Sequence, residues 1–252
     1  MRQLSLTLTS ILYIVTVQSC ATASFYIPNN RFQSPETSGA FGNGLVAAGH
    51  GSKTKVVLAN GLFSSDQAIL DSAEVKVGEG IFLQTSLGLH RKVDFMFYNG
   101  ATGLKFQALG DPASEAKLGN FSLAMGLAAD RGSNENSVYS VKTKAEYTGI
   151  DAMILSGYRV QDNQLLYANL THSNFIANGS ITKESKNEAG TVTSTTLKVP
   201  KRTARETSLL LGWQGFSNQA YLMFETGYTI ASLEGKNTAR RPVLGGTLGL
   251  RW

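Results

Sequence analysis

The chain has 252 residues, 42% hydrophobic and only 16% charged, with 26 glycines and 5 prolines. Soluble domains carry about 25% charged residues, so the deficit is a first sign of lipid contact. A net charge of +5 without a dense Lys/Arg run argues against a nucleic-acid stripe.

The N-terminus has the layout of an export signal: Arg2 precedes a mostly apolar run from Leu4 to Val17, followed by small residues. Two processing sites compete. Val17-Gln18-Ser19-Cys20 resembles a lipobox, although Gln18 is not a favoured residue there, and Ala21-Thr22-Ala23 is an ordinary cleavage site. Cys20 is the single cysteine, has no internal disulfide partner, and stands where lipidation needs it. The reading favoured is a signal peptide over residues 1–19, lipidated Cys20 and an N-terminal tether over 20–38, with cleavage after Ala23 as the alternative. After residue 20 no run of about 18 apolar residues occurs. A membrane span in the remainder must then be a closed barrel of strands, which leaves no backbone polar group facing lipid.

From residue 39 onward the pattern is one of strands. The first, from about Gly39 to His50, is the least clear. Ile81 to His90 then alternates, with Ile81, Leu83, Leu87 and Leu89 on one face and Gln84, Ser86, Gly88 and His90 on the other. Arg91-Lys92 forms a tight turn, and Val93, Phe95 and Phe97 oppose Asp94, Met96 and Tyr98. Asn99-Gly100 is a strong hairpin signal, leading to Leu104, Phe106 and Ala108 against Lys105 and Gln107. The same period places Phe121, Leu123, Met125 and Leu127 opposite Ser122, Ala124 and Gly126. Ile150, Ala152, Ile154 and Tyr158 oppose Asp151, Gly157 and Arg159. Leu166, Ala168 and Leu170 oppose Tyr167, Asn169 and Thr171, after a turn at Asp162-Asn163. Leu209, Leu211 and Trp213 oppose Ser208, Gly212 and Gln214; beyond Ser217-Asn218, Leu222, Phe224 and Tyr228 oppose Tyr221, Glu225 and Gly227. The last strand sets Leu244, Leu248, Leu250 and Trp252 against Gly245, Thr247, Gly249 and Arg251.

Ten strands result, with eight or twelve as alternatives. The fold class is all-β: a single transmembrane antiparallel barrel over 39–252 with both termini periplasmic. Three features turn the apolar face outward. The opposite face carries Asp94, Lys105, Asp151, Arg159, Glu225 and Arg251 among small residues, as a narrow lumen would. Tight turns alternate with long connections, expected over roughly 51–78, 131–146, 179–205 and 231–242, with Asn99-Gly100 as the exception. Phe95, Phe106, Phe121, Tyr158, Trp213 and Trp252 gather toward the tight-turn ends, where an interfacial girdle belongs.

Ser86 to Phe95 (SLGLHRKVDF) and Gly103 to Asp111 (GLKFQALGD) resemble a recurring segment of bacterial outer-membrane β-barrel proteins. Gly245 to Trp252 is similar to the terminal strand that barrel-assembly machinery recognises, with Leu248, Leu250 and Trp252 as the signal and Trp in place of the more usual Phe. The resemblance implies insertion into the outer membrane of a Gram-negative bacterium, with outer-membrane lipid, lipopolysaccharide and the assembly machinery as partners.

Chemistry is sparse. His172-Ser173 faintly resembles the residues of outer-membrane deacylases, but neighbours on a strand face opposite sides and cannot share a site. Asp151 and His172 lack a second carboxylate pair of the kind surface proteases use. His90 reads as a rim residue, and no metal, nucleotide or cofactor motif occurs. The expectation is a non-enzyme. Asp94 and Lys105 fall opposite each other across the Asn99-Gly100 hairpin and predict a lumen salt bridge, with Asp151, Arg159, Glu225 and Arg251 extending the network or lining a pore. The stretch 179–205, with Lys183, Lys186, Lys198, Lys201, Arg202 and Arg205, is a candidate polyanion-binding loop. Two functions follow: a narrow porin-like channel for small polar solutes, favoured by the lumen glycines, or a structural or surface-interaction barrel that displays its loops without transport.

Overall fold

The computed structural model describes residues 21–186, 191–217, 219–235 and 237–252. The signal segment, Cys20, Glu188 and Asn218 lie outside the described residues. The strands are β1 (Thr22–Pro28), β2 (Gly44–Asn60), β3 (Glu74–His90), β4 (Val93–Tyr98), β5 (Ala101–Leu109), β6 (Phe121–Val138), β7 (Val141–Gln161), β8 (Gln164–Lys186), β9 (Val192–Ser217), β10 (Ala220–Leu233) and β11 (Asn237–Arg251). A short helix α1 (Asp66–Asp71) sits between β2 and β3, with Ser65 accepting from the Ala68 N–H at its N-terminus.

β2 to β11 pair in chain order, each antiparallel to the next. The ring closes between β11 and β2, from Gly246↔His50 to Arg251↔Leu45. The wall therefore has ten strands, as the alternation predicts, and every apolar face assigned from sequence points outward. Leu83, Leu104, Met125, Ile154, Leu211 and Leu248 are all more than half exposed. Their inward neighbours Gln84, Lys105, Asn169, Ser208 and Glu225 are buried. A barrel greasy outside and polar inside is the membrane-spanning form. Nine residues of β7, from Ile150 to Tyr158, carry the belt, close to the 9–11 or so that a tilted strand needs to cross hydrocarbon.

The turns at 91–92 and 162–163 and the end of the chain at Trp252 define the near rim, and Asn60, Tyr139 and Leu233 the far rim. The expected long loops are a correction. Residues 131–138 pair with 141–148, 179–186 with 192–199, 174–177 with 202–205, and 228–233 with 237–242. The connections at the far rim shrink to two residues at 139–140. Beyond the lipid a strand's outer face meets water and no longer needs apolar residues, so a reading keyed to an apolar outer face stops at the membrane boundary. β8 and β9, of 23 and 26 residues, project furthest. The first wall strand likewise starts at Gly44 and runs to Asn60 rather than from 39 to 50. Asn99-Gly100 is the expected tight turn, with φ of 46° and 102°.

The larger correction concerns residues 20–38. From Ala21 onward they are no external tether; they thread the barrel. β1 pairs antiparallel with the upper half of β2, Thr22 opposite Asn60 and Pro28 opposite Lys53, and packs across the interior on β6, β7 and β8. The chain then descends to the near rim, where Gly44 meets Trp252 through reciprocal N–H···O bonds of 3.1 Å. Trp252 and the start of the wall share one rim, whereas Ala21 lies at the other, so the first and last described residues do not lie on one side as the expectation of two periplasmic termini requires.

Candidate functional site

The interior is layered along this segment. At the far end an apolar cluster joins Ala21, Ala23, Phe25 and Ile27 to Leu58, Ile69 of α1, Phe175, Ile181 and Val199. Phe25 stacks on Tyr147 with centroids 4.8 Å apart and an interplanar angle of 17°. Period-two alternation in Ala21, Ala23, Phe25 and Ile27 gives β1 this face, and Pro28 ends it.

Below lies a polar layer. Arg31 is fully buried. Its Nε donates to Asp151 Oδ2 at 3.1 Å and its Nη2 to Ser173 Oγ at 2.9 Å, with Glu206 Oε1 at 3.7 Å. Its backbone N–H donates to Glu225 Oε2 at 3.1 Å. Asn29 Nδ2 donates to Glu206 at 2.7 Å and to Thr54 at 2.8 Å, and Tyr98 donates to Asp151 at 2.7 Å. Isolated buried charges are prohibitive, so a guanidinium among carboxylates is the arrangement that lets both signs remain inside.

Phe32 follows with φ 49°, a left-handed conformation that costs a bulky residue roughly 1–2 kcal/mol. Packing holds it there: its ring meets Phe82 edge-on at 4.8 Å and sits within a second cluster with Met96, Tyr98, Met153 and Tyr221. The wall glycines explain how the segment fits. A Cβ on Gly245 would stand 2.6 Å from the Phe32 ring, and one on Gly157 2.7 Å from Pro35 Cγ. These small inward positions accommodate protein, not solute.

At the near rim Glu36 receives a bidentate pair from Arg159, Nε at 2.9 Å and Nη2 at 2.6 Å. Lys105 reaches Asp94 at 3.3 Å and donates to the carbonyls of Ser34 and Glu36 at 3.0 and 2.8 Å. Ser38 N–H donates to Asp94 at 3.0 Å, and Thr37 N–H to Gln107 at 2.8 Å. Outside the barrel, Arg91 bridges to Glu115 at 2.6 Å and, by hydrogen bond first and charge second, holds that carboxyl below the usual carboxylate range.

Of the six lumen charges read from sequence, Asp94, Lys105, Asp151, Arg159 and Glu225 are buried inside. Asp94 and Lys105 stand opposite each other as expected. The partners of Asp151, Arg159 and Glu225 differ from expectation: they are Arg31, Glu36, Asn30 and Tyr167 rather than one another. Arg251 lies at the near mouth, its guanidinium 4.2 Å from the Phe216 ring centroid. Arg31, Glu36, Asn29 and Glu206 escaped the sequence reading. Extending the alternation two residues below Ser208 would have found Glu206, an inward acid in need of a cation.

The six basic residues of 179–205 occupy a strand hairpin, not a loop. Lys183 Nζ donates to the Phe63 carbonyl at 2.7 Å, and Arg202 reaches Glu234 at 3.4 Å and the Leu70 carbonyl at 2.8 Å. Lys186, Lys198, Lys201 and Arg205 are exposed. His172 faces outward and Ser173 and Asp151 inward, so His172 cannot act with either. His50 and His90 are also outward. Leu248 and Leu250 lie on the outer face, while Trp252, on the near rim, lies over Gly44 and donates from Nε1 to the Gly42 carbonyl at 2.8 Å; each of the three is more than half exposed.

No protein-family profile matches the chain, and no curated protein does. Among solved structures, the attachment invasion locus protein Ail of Yersinia pestis aligns at 12% identity and a TM-score of 0.31. The same protein in complex with the heparin analogue sucrose octasulfate aligns at 13% and 0.30. Both alignments cover 84% of this chain and 99% of the other. Likenesses of that size add nothing to what the strand pairing of this chain displays.

Proposed function

We propose that this chain is an integral outer-membrane barrel that acts at the cell surface by contact and does not transport solutes. The observation that carries this reading is the occupied interior. Residues 21–37 run through the barrel, almost all of them buried, and tie to β2, β4, β5, β7, β8, β9 and β10 through the contacts described above. A narrow barrel filled this way retains no continuous aqueous path.

The working surface is the part of β6 to β9 that rises past the belt. We place the near rim in the periplasm and the side on which β8 and β9 extend furthest outside, since membrane barrels carry their longer projections on the extracellular side; this sheet then stands outside the cell. Its exposed Lys186, Lys198, Lys201 and Arg205 suit phosphate or sulfate groups of a polyanion such as lipopolysaccharide. In the same frame Leu248, Leu250 and Trp252 serve as the assembly signal. Lipidation of Cys20, one residue before Ala21, would place the acyl chains at the outer rim.

Planar-bilayer recording is the direct test: the full-length protein inserts silently, and discrete single-channel steps would return the porin reading. Lipopolysaccharide retention gives the second arm. Changing Lys186, Lys198, Lys201 and Arg205 to Gln should release lipopolysaccharide at lower salt, and an unchanged salt profile removes the polyanion surface.

A further inference from the structure

Below the threaded segment, the near mouth contains a cavity of about 400 Å³ that the closed-lumen reading does not use. Its volume lies in the range of small-molecule sites. Its inner wall is the segment itself, from Phe32 to Ser38, and its outer edge is made by Asn43, Gln219 and Trp252. The connection carrying Ala113 and Ser114 closes one side.

Two features of the lining point to a ligand. First, Gln214 lines the cavity and is 3% exposed, yet its Oε1 has no hydrogen-bond partner among the described residues. Thr247, 2% exposed and outside the lining itself, leaves Oγ1 in the same condition. Gln214 and Thr247 both pair with Met223, one from each side, so the two inward side chains belong to one row across β9, β10 and β11. Buried polar atoms in native proteins are almost always satisfied, and each exception asks for a reason.

Second, the chemistry of the wall is mixed in a particular way. Of the four charged residues in the lining, Glu36, Asp94 and Lys105 are consumed by Arg159, by each other and by backbone groups, and Arg251 has its guanidinium 4.2 Å from the Phe216 ring centroid. What remains toward the cavity is largely neutral amide and hydroxyl, including Gln33, Asn43 and Gln219, beside the rings of Trp252 and Tyr221. Amides and hydroxyls both donate and accept, and aromatic rings offer flat apolar faces. A ligand that matches them carries hydroxyls at its edges and C–H groups on its faces.

We infer that this mouth is a binding site for a sugar of one or two rings, with Gln214 as the buried hydrogen-bonding anchor and Trp252 as the stacking wall. The inference goes beyond surface contact and places a second recognition site on the opposite side of the membrane. The sugar is either free in the periplasm or the end of a glycan polymer. Because the inner wall is the threaded segment, the site exists only while that segment is seated.

The test uses the full-length protein in amine-oxide micelles, since detergents with sugar headgroups would compete. The chain has two tryptophans, so Trp213→Phe leaves Trp252 as the sole reporter. Glucose, N-acetylglucosamine and its β-1,4-linked disaccharide are each titrated to about 100 mM, well above the millimolar dissociation constants of weak ligands. Saturable quenching by at least one sugar is expected. Gln214→Leu should weaken it about tenfold, the ordinary cost of one lost buried hydrogen bond. Should Gln214→Leu fail to fold, Asn43→Ala with Gln219→Ala at the rim should weaken binding instead. Binding of the disaccharide together with co-sedimentation on insoluble glycan identifies a polymer end, and binding without co-sedimentation a free sugar. No saturable response to any of the three, or equal affinity in both altered proteins, overturns the site.

Discussion

The two ends of the barrel interior are held by different physics. Toward the far rim, Phe25, Ile27, Leu58, Phe175 and Val199 pack as an apolar core that any residues of suitable volume would satisfy approximately. Toward the middle and the near rim, Arg31, Glu36, Lys105 and Arg159 each meet a dedicated partner at hydrogen-bonding distance. Apolar packing is tolerant of sliding; a buried guanidinium is not, because a shift of one residue would bury it unpaired. The contrast teaches that the upper core supplies affinity for the segment while the polar layers fix its register.

The largest expected effect comes from removing both at once. Deleting residues 21–38 while keeping the export signal and the wall should convert a silent barrel into a conducting one in planar bilayers. A deletion variant that still shifts on heating in gel electrophoresis but stays silent would mean that the wall collapses inward and that the segment is not what closes the lumen.

Next come single substitutions that separate the two regions. Arg31→Met leaves Asp151 and Glu206 without their cation and should cost roughly 3–5 kcal/mol in urea unfolding from micelles. Adding Asp151→Asn and Glu206→Gln should recover much of that loss, because the cost lies in uncompensated charge. Phe25→Ala should cost a similar amount, about 3–5 kcal/mol, with no such rescue, since it leaves a cavity. If the triple variant is no more stable than Arg31→Met, the register argument fails.

A smaller effect tests the fit of segment to wall. Gly157→Val would drive side-chain atoms into Pro35 and should cost about 1–3 kcal/mol, as overpacking does. Gly78→Val, in open space, serves as the control, and equal losses at both positions would attribute the effect to strand entropy alone.

The smallest effect is electrostatic and lies outside the membrane. The Glu115 carboxyl, hydrogen-bonded to Arg91, is depressed in the folded state. A depressed folded value means that its stabilisation is present above the unfolded Glu range, near 4.3, and is lost as pH falls through the folded value. The pair is half exposed, so the contribution is slight. Titration of Glu115 by NMR should give a midpoint below the ordinary one, and Arg91→Gln should return it. A midpoint at or above the ordinary value in the unaltered protein would contradict the pair.

Much of the wall was legible in the sequence because lipid enforces the period of two. Ile150, Ile154 and Tyr158 can meet hydrocarbon only if Asp151, Gly157 and Arg159 turn away from it, and that constraint is local enough to read residue by residue. Asn99-Gly100 was legible for the same reason, since the turn demands positive φ at both positions. Legibility ended where lipid ends: in the far-rim stretches of β6 to β9 the outer face meets water and its composition resembles that of a loop. The near-mouth cavity was hidden as well, because Gln214 reads as one more inward polar residue until the tertiary structure leaves its amide oxygen without a partner.

What the sequence determined by itself is a wall of about ten strands and the direction that residues of the lipid-facing belt take, because alternation and turn chemistry act between neighbours in the chain. What only the tertiary structure decided is the content of the barrel. Residues 21–38, rich in Pro, Asn and Ser, carry the composition of a tether. Their place inside depends on contacts such as Arg31 with Asp151 and Glu36 with Arg159, 120 and 123 residues apart in the chain. No local pattern encodes pairings over such distances; the closed wall brings those residues together and excludes water from them.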